Sequence, residues 1–172
     1  MNAKIRASAE EAAETVLQQS WDSQTLPVNP IAIAQRMGIA VYEAQLPGNV
    51  SGWIAREKAD GPTEIYLDVD DNIRRRRFTC AHEIGHFVRR QDDPTLVFVE
   101  RRDGRSADGM DEEEIFANSF ASALLMPRHT LQTLLRANIS PDSIARHLNV
   151  SEQSVAYRID NLRRDGQLQW AQ

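Results

Sequence analysis

Cysteine is almost missing from this 172-residue chain: Cys80 stands alone, so no intrachain disulfide can form, and the usage fits a reducing compartment. The expected job of that one thiol is to act as a small buried hydrophobe. Long apolar runs are missing too. Nothing approaches the roughly 20 residues that span a bilayer, and the opening Met-Asn-Ala-Lys-Ile-Arg lacks the apolar core of a signal peptide, so no membrane partner and a cytoplasmic location are expected. Positive charge is not in excess. Against 20 Lys and Arg stand 25 Asp and Glu, giving a formal net charge of −5 and a pI near 5.4. That balance argues against a protein that holds nucleic acid through a strongly basic surface. With 41% hydrophobic residues, the chain can bury one core of ordinary size and carry at most a small appendage.

What is present is concentrated in residues 82–86, His-Glu-Ile-Gly-His. On a helix His82 and His86 stand four apart, so both imidazoles project from one face and can hold a single metal ion, with Glu83 beside them. Two neutral imidazoles suit Zn²⁺ at about 2.0–2.1 Å, and a neighbouring carboxylate can take a proton from water that the metal has acidified. The implied chemistry is hydrolysis of an unactivated bond, most often a peptide. The context is helical. Phe78, Ala81, Ile84, Gly85 and Val88 make a helix-compatible stripe within residues 73–88, no proline interrupts it, and Asp70, Asp71 and Asn72 are capping candidates ahead of it.

A catalytic zinc needs a third protein ligand and keeps its fourth position for water. The metzincin pattern demands a glycine and a third histidine at set spacings after His86; this chain has Arg89 and Asp92 there, so that pattern fails. A glutamate on a second helix is the alternative. Residues 111–127 supply one, with Phe116, Phe120, Ala123 and Leu124 forming an apolar stripe that ends before Pro127. Glu112, Glu113 and Glu114 compete for the role, and an acidic first turn is favourable to a helix N-terminus in its own right. Glu114 is favoured, because it alone has an amide, Asn118, four residues on along the same face. Asn118 would hydrogen-bond a ligating histidine from behind.

At this point the chain resembles the ImmA/IrrE-type metallopeptidases. The resemblance rests on Arg-Arg-Phe-Thr-Cys-Ala-His-Glu-Ile-Gly-His (76–86), on Glu-Ile-Phe-Ala-Asn-Ser-Phe-Ala-Ser-Ala-Leu-Leu-Met-Pro (114–127) and on Pro-Val-Asn-Pro-Ile-Ala-Ile-Ala-Gln-Arg-Met-Gly-Ile (27–39). It runs from about residue 27 into the C-terminal region. It implies a compact zincin-like, gluzincin-type domain whose members typically cleave or otherwise inactivate helix-turn-helix repressors of mobile elements or stress regulons. By position it implies His82, His86 and Glu114 as metal ligands and Glu83 as the catalytic residue.

The rest of the chain fits an α+β architecture. A helical pattern over residues 4–19 carries Ile5, Ala9, Ala12, Val16 and Leu17. Asn29 and Pro30 start a short helix through Met37, which Gly38 ends. Strands are expected over 39–43, 51–56 and 64–67, with turns at Pro47-Gly48 and Asp60-Gly61-Pro62, so a small sheet leads into the metal helix. In zincin-like folds such a sheet lies beside the cleft, and its edge can pair with an extended substrate backbone. Residues 96–99 read as one more short strand, and 103–109 as a polar surface loop. Four consecutive arginines, Arg74–Arg77, point four ways on a helix and make no single stripe; Arg76 and Arg77 are expected to be held close to the domain.

Beyond residue 139, Ser140-Pro141 opens a helix to Leu148, Asn149 turns the chain, and Ser151 caps a helix containing Val155, Ile159 and Leu162, a helix-turn-helix-like spacing. Arg146, Arg158, Arg163 and Arg164 are nearly balanced there by Asp142, Glu152 and Asp160, so strong direct nucleic-acid binding is not expected. The division read from the sequence is residues 1–130 as the peptidase domain and 131–172 as a helical segment packed on it. Two functions compete. One is a zinc endopeptidase acting on a protein partner, a helix-turn-helix repressor or antitoxin-like regulator, with Mn²⁺ or another divalent ion as an alternative to Zn²⁺. The other is a non-proteolytic, DNA-associated or toxin–antitoxin regulator with a structural metal site. Glu83 favours the enzyme, since a structural site needs no carboxylate that is not a ligand. His129, His147, Tyr157 and Arg158 are the candidates for contacting the oxyanion or the substrate.

Overall fold

The computed structural model describes residues 2–22, 25–90, 98–103 and 112–168, the segment 98–103 by its backbone alone. Helix α1 (Asn2–Ser20) comes first, then α2 (Pro30–Arg36). The Asn29 side chain accepts hydrogen bonds from the Ile31 and Ala32 amides, and proline occupies the first helical turn, where its missing N–H costs nothing. Helix α2 ends at the Met37 cap, and Gly38 takes φ +78, a conformation a side chain would oppose.

Strands β1 (Ile39–Ala44), β2 (Val50–Arg56) and β3 (Thr63–Asp68) follow, each a residue or two longer than the sequence pattern indicated. Strand β4 (Phe98–Asp103) completes a four-stranded sheet in the order β1-β3-β2-β4. The expected strand over 96–99 is described from Phe98 and runs on to Asp103, the first residue of the expected loop; residues 96, 97 and 104–109 lie outside the described residues. Strand β1 pairs with β3 in parallel, Val41 opposite Ile65, so the Pro47-Gly48 turn crosses to a strand that is not β1's neighbour. Strand β2 is antiparallel to both β3 and β4. Burial along β3 alternates strictly: Thr63, Ile65 and Leu67 are buried, while Glu64, Tyr66 and Asp68 are partly exposed. On that second face Tyr42, Tyr66 and Trp53 stack across three strands at 5.2 and 5.1 Å.

Helix α3 (Ile73–Arg89) is capped by Asn72, whose side chain accepts from the Arg75 amide. The helices α4 (Glu112–Leu125), α5 (Arg128–Arg136), α6 (Pro141–Leu148) and α7 (Glu152–Arg164) complete the chain. Helix α3 packs against β2, β3, α2 and α4, and α4 packs in turn against α1 and α7. One core of buried residues therefore runs from Ile5 to Leu162, joining the α6–α7 unit to the rest. The helix-turn-helix-like geometry is present: Asn149 turns in the left-handed region (φ 52) and Ser151 accepts from the Ser154 amide. No helix among the described residues is long and apolar enough to cross a membrane.

Candidate metal centre

Helix α3 is unusual in being buried on every side at its middle. From Thr79 to His86 every residue is buried, including His82, Glu83 and His86 at 1–2% exposure. Polar side chains are rarely sunk to this depth without a partner to satisfy them. The sheet covers one side of the helix and α4 the other.

The two imidazoles turn the same atom toward one point. His82 Nε2 and His86 Nε2 are 3.0 Å apart. Glu114, from the first turn of α4, brings Oε1 to 3.2 Å from His86 Nε2 and Oε2 to 3.6 Å from His82 Nε2. Ligand atoms from all three residues lie within 4.8 Å of one another. Donors placed about 2.0–2.1 Å from a tetrahedral zinc stand about 3.3–3.4 Å from each other, and the separations here lie on either side of that value. Asn118, one turn along α4, sits with Oδ1 3.1 Å from His82 Nδ1. With Nδ1–H donating to that oxygen, the ring takes the tautomer that leaves the Nε2 lone pair toward the metal position. The Glu114 side chain keeps 22% of its surface exposed while the imidazoles keep 2–3%, so solvent reaches the cluster past the carboxylate.

The acidic first turn of α4 divides its work by direction. Glu113 Oε1 accepts from Arg89 Nε at 2.9 Å and its other oxygen lies 3.5 Å from Arg90. Glu112 lies 4.0 Å from Arg89 at the surface. Glu114 is left to face the histidines. The Arg89 guanidinium also lies 4.9 Å over the Phe116 ring, so the basic end of α3 is tied to the acidic start of α4 across the site. Arg89 stands where the metzincin pattern has glycine; the sequence signal for its clasp is a basic helix end meeting an acidic helix start.

Arg158, a candidate for contacting the oxyanion or the substrate, lies away from the cluster. Its guanidinium forms a bidentate pair with Glu10 of α1, NH1 to Oε2 at 2.6 Å and NH2 to Oε1 at 2.7 Å, and both side chains are under 10% exposed. Two charges that deep in the molecule are already committed to each other. His129 and His147 are exposed on α5 and α6, and Tyr157 is 63% exposed on α7; the structure brings none of them into the cluster. Of the arginine run, Arg77 is buried and donates to the carbonyls of Val28, Leu148 and Asn149, while Arg76 pairs with Glu43 at 2.9 Å. Cys80 is fully buried, and burial pushes its thiol far up, removing it as a nucleophile.

The chain matches the model of a peptidase family described as the IrrE N-terminal-like domain over residues 34–160. It is 27% identical over 119 residues to an uncharacterized immunity region protein of Bacillus phage phi105, covering 68% of this chain and 70% of that one. A solved Mycobacterium tuberculosis transcriptional regulator superposes with a TM-score of 0.62 at 19% identity, covering 98% of this chain and 54% of that protein. The chain thus spans about half the length of that regulator, and the likeness is one of fold.

Proposed function

Because the chain belongs to the IrrE N-terminal-like family of M78 peptidases, we propose that it is a zinc-dependent endopeptidase whose substrate is a protein partner of the helix-turn-helix regulator class. The convergence of His82, His86 and Glu114 on one point carries the reading. A relative named for a phage immunity region supports a regulator as the substrate class.

A bound zinc would supply Lewis acidity, polarising the scissile carbonyl and bringing the pKa of a nearby water to about 7. Every other task falls to the chain. His82, His86 and Glu114 would hold the ion, and Asn118 would fix the His82 tautomer, with the exposed side of Glu114 open to substrate. Glu83, buried beside the ligands on α3, takes the proton of the attacking water. It then delivers that proton to the leaving nitrogen as the C–N bond breaks. In this reading residues 1–130 carry the chemistry and 131–172 brace it.

The test is co-expression with helix-turn-helix regulators followed by mass spectrometry of the regulator. Glu83→Gln should retain about one zinc per chain and lower cleavage by about 10²–10⁴-fold, since an amide accepts no proton. Cleavage at the wild-type rate by that variant would remove Glu83 from the mechanism. A wild-type protein with no zinc would remove the metal site.

A further inference from the structure

Glycine is among the poorest helix formers, yet Gly85 stands in the interior of α3, between the two histidines and next to His86. A Cβ placed on Gly85 would lie 3.0 Å from the Ala117 Cα, 3.2 Å from Phe120 Cδ1 and 3.3 Å from the Ala117 carbonyl oxygen. Two of these three atoms are α4 backbone, which cannot swing aside, and the Phe120 ring is fully buried. So α3 and α4 approach here as closely as they can only because position 85 has no side chain. Ala117 is the residue just before Asn118 and one turn after Glu114, the two residues through which α4 reaches His82 and His86. The closest approach of the helices thus coincides with the point where the ligand set is assembled from both of them.

We propose that Gly85 is a positioning residue for the metal centre, setting the distance between α3 and α4 so that Glu114 and Asn118 reach the two histidines. The inference rests on the metal-site reading above. Metal sites accept errors of about 0.2 Å in ligand distance. A methyl group at position 85 requires α4 to give by a few tenths of an ångström at Ala117, between the two residues through which α4 reaches the histidines, and at Phe120 in the core. The effect is on the ligand geometry rather than on the helix, since alanine is the better helix former of the two.

The experiment compares wild type, Gly85→Ala, Ile84→Val and Glu114→Ala. Its readouts are the thermal midpoint of the metal-free protein, zinc affinity by chelator competition, and the visible spectrum of the Co²⁺-loaded form. Ile84 is buried on the same helix, so its truncation loosens packing without wedging the helices apart. Gly85→Ala should weaken zinc binding by about 10–100-fold, the range expected when a ligand's supporting contacts are disturbed, and should alter the Co²⁺ spectrum. Ile84→Val should lower the midpoint and leave the spectrum unchanged. If Gly85→Ala does not fold, Phe120→Leu and the Gly85→Ala/Phe120→Leu double variant replace it, since the shorter side chain gives up the ring contact while both backbone contacts stay. Zinc affinity and spectrum equal to those of the parent, in either background, would overturn the proposal. Zinc retained by Glu114→Ala would instead overturn the metal-site reading on which it rests.

Discussion

Three adjacent glutamates with the same chemistry end in three different surroundings, and the direction each one takes from α4 decides its use. Glu112 reaches the surface near Arg89, Glu113 joins Arg89 and Arg90, and Glu114 meets the imidazoles at 3.2 and 3.6 Å. Removing Glu114 should therefore abolish zinc binding, because two imidazoles alone make a poor site. Glu112→Ala and Glu113→Ala should keep the metal. Asn118→Ala should weaken affinity about 10–100-fold by freeing the His82 tautomer. Elemental analysis after dialysis against chelator separates these variants, and zinc lost from Glu113→Ala in place of Glu114→Ala would contradict the arrangement. The glutamate pattern was open to sequence reasoning because an amide four residues on marks one phase of the helix and no other. Arg158 was not: a basic residue on a helix reads as surface unless its acidic partner is known, and Glu10 lies 148 positions away.

At the scale of elements, the metal helix is held by two small residues as much as by large ones. On the sheet side, Gly52 of β2 lies against α3 so closely that an added Cβ would stand 2.6 Å from Thr79 Cγ2 and 2.7 Å from the Tyr66 carbonyl oxygen. The second of these is backbone of a paired strand and cannot yield, so Gly52→Ala should destabilise the fold by about 1–3 kcal/mol through overpacking. Urea denaturation measures this, and an unchanged midpoint would show that the sheet moves freely under α3. The sequence marked β2 as a strand but could not distinguish a glycine demanded by a helix on the sheet from one that bends the strand. The same limit applied to strand order. Local pattern locates strands through burial alternation, as Ile65 and Leu67 show, while the parallel pairing of β1 with β3 depends on contacts between residues such as Val41 and Ile65, far apart in the chain. Helix ends were legible because their signals are local: Asn72 at α3, Asn29 at α2, and Ser151 at α7 all cap where their chemistry indicates.

Across the whole molecule, α1 is fastened to α7 by two bidentate pairs, Arg6 with Asp165 and Glu10 with Arg158, which join the two ends of the described chain. The second pair is buried, so Glu10→Ala should cost about 3–5 kcal/mol by stranding the Arg158 charge, and Glu10→Leu with Arg158→Met should recover most of it. A double-mutant cycle in urea reads the difference, and a small additive loss would mean the pair is wet. The pairing also bears on the helix-turn-helix-like unit. A protein that held DNA through α7 would need cations presented to phosphate. Here Arg158 is turned inward on Glu10, Arg146 lies 2.8 Å from Asp142, and Arg163 lies 3.9 Å from Asp160. The formal charge of the chain is −5. Since phosphate neutralisation dominates DNA affinity, binding to a generic duplex should be no tighter than about 10⁻⁵ M near physiological salt, within the nonspecific range. On the proposed peptidase reading, an effect of this protein on transcription would then come from destroying another protein's grip on DNA. Fluorescence anisotropy with promoter and random duplexes at about 150 mM salt, where the Debye length is about 8 Å, tests it. Nanomolar, sequence-selective binding that collapses in Arg163→Ala or Arg164→Ala would reverse this conclusion and make α7 a DNA-reading helix.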